Sequence, residues 1–415
     1  MTCLLLLVSS TANAQNISIG LYDNISTLYL TANQDYQVIE DLSENPLPSE
    51  VPVHQITGKM LDLAFSNFRS NKLKASQKPP VSSVNNEFTD SRTLVKKNAW
   101  DKALLRSSPA TANPLLIAAE PDLVTSSRKV KFECMETPCL FRIKTPGQES
   151  RTYRGSIIIK PFKDNFTVIN YLDIEDYLKG VVPSEMPSSW HLEALKAQSI
   201  AARTYSMAML GRRKALGYDL KSTVEDQMYI GYLKEDPLTS AAIKATQGEL
   251  LITNQGLYVD AYFSSHAGFY TNTPEGAWGL SPKGYLMPAR EVMNSTWQIQ
   301  LSKQELENKL QDLQLNPIKA ITILNRSLEG RVAQILISGT EKHALLIGEE
   351  FRHKLGLRST NFDIIYSSNS ITISGSGYGH GIGMSQHGAK YLAEHGRTYE
   401  EILGHYYKRA SLLKL

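Results

Sequence analysis

Glu193-Ala194-Leu195-Lys196-Ala197-Gln198-Ser199-Ile200-Ala201-Ala202-Arg203-Thr204-Tyr205 is the stretch on which the fold turns. Alanine is the strongest helix former, and its small side chain permits close packing. Five alanines between 194 and 208, with Leu192, Leu195, Ser199 and Ala202 on one face, predict a long, central, buried helix from about 190 to 216. Just before it stands Val181-Val182-Pro183-Ser184-Glu185-Met186-Pro187, where one carboxyl sits between two prolines in apolar company.

Upstream, residues 130–143, 155–161 and 166–171 are short β-type runs broken by polar turns, as in an antiparallel sheet. Residues 173–180 predict a brief helical turn. Downstream, 238–247 and 302–312 read as helices, and 249–252 and 257–263 as two strands about the turn Asn254-Gln255-Gly256. Residues 318–325, 331–338, 343–347 and 371–375 read as strands, and 385–395 and 399–406 as closing helices. No internal repeat at a fixed period is present. The class is α+β: antiparallel sheets around an Ala-rich helix, a second small α/β subdomain inserted at about 298–370, and a cleft between them.

The chain has 415 residues, 42% hydrophobic and 20% charged, with a net charge of +3, ordinary values for a globular protein. Its basic residues are scattered rather than striped, which argues against nucleic acid. An apolar run at 4–8 followed by Ala12-Asn13-Ala14-Gln15 reads as a secretory signal cleaved after Ala14, though no Lys or Arg precedes it. A membrane span needs about 20 apolar residues, and no segment is that long. Export to the periplasm or cell-wall space is the expectation. Cys3 lies in that signal. Cys134 and Cys139 flank a turn, and either a disulfide or half of a metal site fits them. Residues 15–127 read as an N-terminal extension, partly linker or disordered, with Pro-, Ser- and Asn-rich tracts at 43–57 and 76–93 and one short helix at 60–68. The main unit is expected at 128–410.

Three segments concentrate unusual residues. Glu185 stands at an expected helix start, where the dipole favours the anion. Its neighbours Val181, Val182, Met186 and Trp190 would instead desolvate it and raise its pKa, as a general acid requires. A plain solvated glutamate is the alternative. Tyr262-Phe263-Ser264-Ser265-His266-Ala267-Gly268 is a strand running into a small, polar loop, as at many ligand sites. Gly375-Ser376-Gly377-Tyr378-Gly379-His380-Gly381-Ile382-Gly383-Met384-Ser385-Gln386-His387-Gly388-Ala389 lets backbone approach a neighbour closely. It fits neither phosphate-binding glycine pattern. The seven-residue spacing of His380 and His387 matches no standard metal geometry.

Together these segments resemble the SpoIID family, the sporulation stage II protein D and LytB-type amidase-enhancer proteins. The resemblance is carried by Glu175-Asp176-Tyr177-Leu178-Lys179-Gly180-Val181-Val182-Pro183-Ser184-Glu185-Met186-Pro187, by the alanine-rich stretch, by Asp226-Gln227-Met228-Tyr229-Ile230-Gly231 and by the glycine-rich run, in order between about 153 and 408. It implies a lytic transglycosylase, a lyase cutting MurNAc–GlcNAc bonds of peptide-stripped peptidoglycan strands to 1,6-anhydro ends. Glu185 would be its acid, and Arg203 would support it. One carboxyl suffices for such chemistry, whereas a hydrolase needs two. Gln227, Tyr229, Ser265, His266, His380 and Gln386 would contact sugar. Some members hold zinc near the Asp-Gln-x-Tyr motif with Cys and His, but residues 219–227 contain neither, so no metal and no cofactor is expected. The alternatives are a non-catalytic glycan-binding activator of an N-acetylmuramoyl-L-alanine amidase, and a two-carboxylate muramidase using Asp226 or Glu275.

Overall fold

Strands β1 (Asn16–Ile25), β2 (Thr27–Ala32), β3 (Tyr36–Glu40), β4 (Leu115–Ala118), β5 (Val130–Cys134), β6 (Leu140–Lys144), β7 (Arg151–Arg154), β8 (Ser156–Phe162) and β9 (Asn165–Asp173) open the chain in the computed structural model. It describes residues 15–34, 36–40, 115–118, 129–162, 165–293, 295–315, 317–367 and 370–414. With β10 (Leu220–Lys221) these strands form a six-stranded sheet, β10-β1-β9-β8-β5-β3, and a four-stranded sheet, β4-β2-β6-β7. The pairing is antiparallel except between β1 and β10. The expected separation of residues 15–127 from the main unit is therefore corrected for β1 to β4. Ile17, Ile19, Leu28 and Leu30 are buried in the same core as Ile157 and Val168. Their alternation with polar residues drives them inward, as in any half-buried strand. The expected signal, the linker-like tracts and the helix at 60–68 fall outside the described residues. Cys134 and Cys139 form a disulfide with Cα atoms 5.4 Å apart, tying β5 to β6 and disposing of the half metal site.

Helix α1 (Ile174–Glu185) is longer than the brief turn expected. Asp173 caps it, accepting the Glu175 N–H. Pro183 stands in its last turn, where it removes a single backbone hydrogen bond, and the extended Met186 and Pro187 end it. Helix α2 (Leu192–Ala208) carries a continuous buried run from Ala197 to Ser206. It stops short of residue 216 because Gly211 turns with positive φ and the Asp219 carboxylate accepts its N–H at 2.8 Å. Helix α3 (Pro237–Ala245) and β11 (Glu249–Ile252) follow. The turn at Asn254-Gln255-Gly256 forms, with Ile252 bridged antiparallel to Tyr258 and the Val259 N–H donating to the Leu251 carbonyl. The expected second strand is corrected: β11 takes its main partner in β20 (Ser411–Lys414) at the far end of the chain, and β12 is only Phe263–Ser264. Helix α4 (Pro274–Trp278) comes next.

The inserted part contains β13 (Thr296–Ser302), α5 (Lys303–Lys309), β14 (Ala320–Arg326), β15 (Val332–Ser338), β16 (His343–Ile347), α6 (Gly348–Leu355), β17 (Phe362–Tyr366) and β18 (Ser370–Ser376). Its sheets, β13-β18-β17 and β14-β15-β16, close over a core of their own that includes Trp297, Ile335, Phe351 and Ile373. The chain then returns through β19 (Met384–Ser385), α7 (Gln386–Glu394) and α8 (Tyr399–Tyr406), which pack on α2 in the first core. The architecture is mixed α+β with two units.

Candidate functional site

Glu185 is the last residue of α1, not the first of a helix. The negative end of the helix dipole therefore faces its carboxyl and disfavours the anion, reversing one of the two influences read from sequence. Burial pushes its pKa up further. Two hydrogen bonds pull the other way: Oε1 accepts the Met228 N–H at 2.8 Å and Oε2 accepts the Gln386 amide at 3.2 Å.

Each donor is held from behind. Met228 follows a turn pinned by Asp226, whose Oδ1 accepts from the Tyr205 hydroxyl and Arg212, and whose Oδ2 accepts from Arg213 and the Lys221 N–H. A carboxylate so fully engaged has no lone pair left for chemistry, and Glu275 is exposed on α4. Neither offers the second carboxyl of a muramidase. Gln386 opens α7, capped by Ser385, and the parallel pairing of β12 with β19 sets it beside the Ser264–His266 loop.

That loop and α7 join a half-buried group. His387 Nδ1 lies 3.0 Å from the Ser265 carbonyl oxygen, and the His387 ring meets Trp190 edge-on at 5.0 Å and His266 at 5.9 Å. Lys390 lies over Trp190. The Nδ1 of His266 accepts the Gly268 N–H, and that of His380 accepts the Ile382 N–H, each at 3.0 Å. Both pKa values fall to about 4, chiefly by burial, with His387 and Arg331 adding to the effect at His266. Both rings are neutral at pH 7, their proton on Nε2. The glycines of the third segment are required by contact. A Cβ on Gly381 would stand 2.0 Å from Arg331 Nη2, and one on Gly383 1.9 Å from the Tyr262 oxygen, with φ positive at both.

Of the residues singled out by sequence, the structure brings Gln386 to Glu185 and gathers Ser265 and His266 beside His387. His380 sits against Trp278, 5.2 Å between ring centres. Gln227 and Tyr229 are buried and turned inward, one donating to the Ser206 hydroxyl and the other to Asn170, so both lie away from solvent. Arg203 is corrected as well. It makes a bidentate pair with Glu175, at 2.7 and 2.8 Å, and donates to the carbonyls of Glu249 and Ile243. Glu175 stands ten residues before Glu185 on one helix, about 15 Å away. Sequence reasoning missed Arg331, a lone arginine after a turn, and the Met228 N–H, which no side chain announces.

A sequence profile described as Stage II sporulation protein matches residues 162–252, and one described as a domain of unknown function matches 284–383. An uncharacterized protein of Brachyspira hyodysenteriae is 34% identical over 270 residues, covering 63% of this chain and 72% of that protein. Stage II sporulation protein D of Bacillus subtilis is 32% identical over 291 residues, covering 64% and 82%. The amidase enhancer of Bacillus subtilis is 33% identical over 290 residues, covering 57% of this chain but 40% of its own length. That last name, an enhancer of an amidase, overturns the expectation of a lytic transglycosylase, a lyase in its own right. Among the described residues, no helix is long and apolar enough to cross a membrane.

Proposed function

Since the chain belongs to the stage II sporulation protein D and amidase-enhancer family, we propose that it is a non-catalytic, glycan-binding activator of a peptidoglycan amidase, working in the cell-wall space. The reading is supported above all by Glu185, both of whose oxygens are engaged by donors from elements locked in place. Such a carboxyl is suited to holding a surface in shape and accepting a sugar hydroxyl. Beside it, Trp190, His387 and Ser265 bring aromatic rings and polar atoms together, the mixture that a sugar with apolar C–H faces and hydroxyl edges requires. Holding a strand raises the concentration of its stem peptides at any amidase bound to the same protein, which accelerates cleavage without new chemistry.

The test is purified protein with isolated glycan strands, with and without an N-acetylmuramoyl-L-alanine amidase. Strands should be retained by the protein alone and remain intact, and the amidase should run faster in its presence. Trp190→Ala should weaken retention about tenfold, or about 1.4 kcal/mol. Strands shortened by the protein alone would sink the proposal.

A further inference from the structure

The face beside this group is unusually apolar. Three segments are laced side by side: the Phe269 carbonyl accepts the Glu291 N–H, the Ser295 carbonyl accepts the Gly377 N–H, and His266 and Tyr378 exchange both backbone hydrogen bonds. Their outward side chains include Phe269 and Tyr378, each 54% exposed, with Met293 at 41% and Val292 at 40%. With about 200 Å² for a whole aromatic side chain, these expose on the order of 300 Å² of apolar surface. Patches of roughly 300–600 Å² on a soluble protein are often functional. Arg290 and Arg358 flank the patch, both exposed, and Arg358 is tied to it through its carbonyl, which accepts the Gly379 N–H. Neither arginine has a carboxylate partner among the described residues.

We propose that this face docks the amidase, through an amidase surface with an apolar centre and acidic side chains at its edge. The inference rests on the activator reading and gives it a place. The chemistry favours a protein over a glycan strand. Val292 and Met293 have no flat ring on which a sugar could stack, whereas aromatic residues, methionine and arginine are the types enriched at protein interfaces. Unpaired cations at an apolar rim call for carboxylates opposite, which steer encounter and fix orientation. The location suits the task, because His266 belongs to both this face and the group around His387. An amidase seated here lies beside a strand held there.

Two full-length variants test it against strands and amidase together: Phe269→Ala with Met293→Ala, and Arg290→Glu with Arg358→Glu. Each should raise the protein concentration needed for half-maximal amidase stimulation at least tenfold, leave strand retention within twofold, and keep the wild-type melting temperature, since all four side chains are exposed. Added salt should weaken stimulation by the wild type. Undiminished stimulation by both variants overturns the proposal, and so does loss of strand retention, which would make the face a glycan site. If the wild type holds strands yet never stimulates, the activator reading fails first.

Discussion

Arg203 and Arg331 are both buried, 2% and 1% exposed, yet the regions around them are built on opposite terms. In the helical core, Arg203 is neutralised by Glu175, so that a cation, a carboxylate and two backbone carbonyls form a closed set. At the seam between the two units, Arg331 reaches from the start of β15 to the carbonyls of Ala267 and Gly379 and the Thr360 hydroxyl. It makes no carboxylate ion pair among the described residues, and its Nε is unpartnered there. His266 Nε2 and the Ser264 hydroxyl, on the adjoining loop, are likewise buried and unpartnered among those residues. The set around Arg203 is satisfied within itself, while the set around Arg331 is not, although the helical core too holds buried polar atoms without a partner among the described residues, on Tyr177 and Gln198. Sets of the second kind, not the first, are where a ligand or partner finds unsatisfied atoms.

The sharpest way to break this contrast is Arg203→Met. A buried pair that loses one member strands the other, at about 3–5 kcal/mol. The lower end is expected because Glu175 retains some access to solvent. Chemical denaturation should show this loss, while the protein that remains folded binds glycan strands as well as before. Weakened binding by the folded fraction would return Arg203 to the functional site.

Next in size is a pH effect within the seam. Burial raises the Glu291 carboxyl from 4.5 to about 7, with the nearby Ser385 and Tyr406 hydroxyls pulling the other way. The folded state thus holds this proton more tightly than the unfolded one. The resulting stability is complete below pH 4.5 and disappears as the pH climbs through 7, for a total of roughly 3 kcal/mol. His266 and His380, depressed to about 4, act in the opposite sense: their contribution is complete above pH 6.5 and is lost on acidification toward 4. Glu291→Gln, which mimics the protonated form, isolates the first effect. Its stability relative to wild type should be near zero at pH 5 and grow to a few kcal/mol at pH 8 in urea titrations. A flat difference would show that Glu291 is paired after all.

Much of the fold was legible wherever the cause is local. The last helix runs from Tyr399 to Tyr406, as its apolar spacing predicts, because Thr398 and Glu401 form a capping box at its start. β16 at His343–Ile347 also coincides with its apolar run. The misreadings have distant causes. Nothing near β11 says that its main partner is the chain end, about 160 residues later. Nothing near Arg203 says that Glu175, 28 residues earlier, neutralises it. The site divides in the same way. The glycine-rich run pointed to Gln386, whereas the Met228 N–H is a backbone group made useful only by the Asp226 turn.

Arg331→Met is the subtlest way to sharpen the contrast, because two effects on stability nearly offset. The substitution leaves the Ala267 and Gly379 carbonyls without this donor, and each unsatisfied buried acceptor costs about 1–3 kcal/mol. It also removes a cation whose burial, by lowering the guanidinium pKa, works against the folded state. The net loss should be about 1–2 kcal/mol, smaller than for Arg203→Met. Function should respond in the reverse order. Ala267 and Gly379 flank His266 and Tyr378, so loosening them disturbs the strand-holding group and the proposed amidase face at once. Retention of strands should fall about tenfold in Arg331→Met, equivalent to about 1.4 kcal/mol, and recover in part in Arg331→Lys, which restores a donor without the planar fork. A variant that is strongly destabilised yet binds normally would place Arg331 with Arg203, as one more closed structural set.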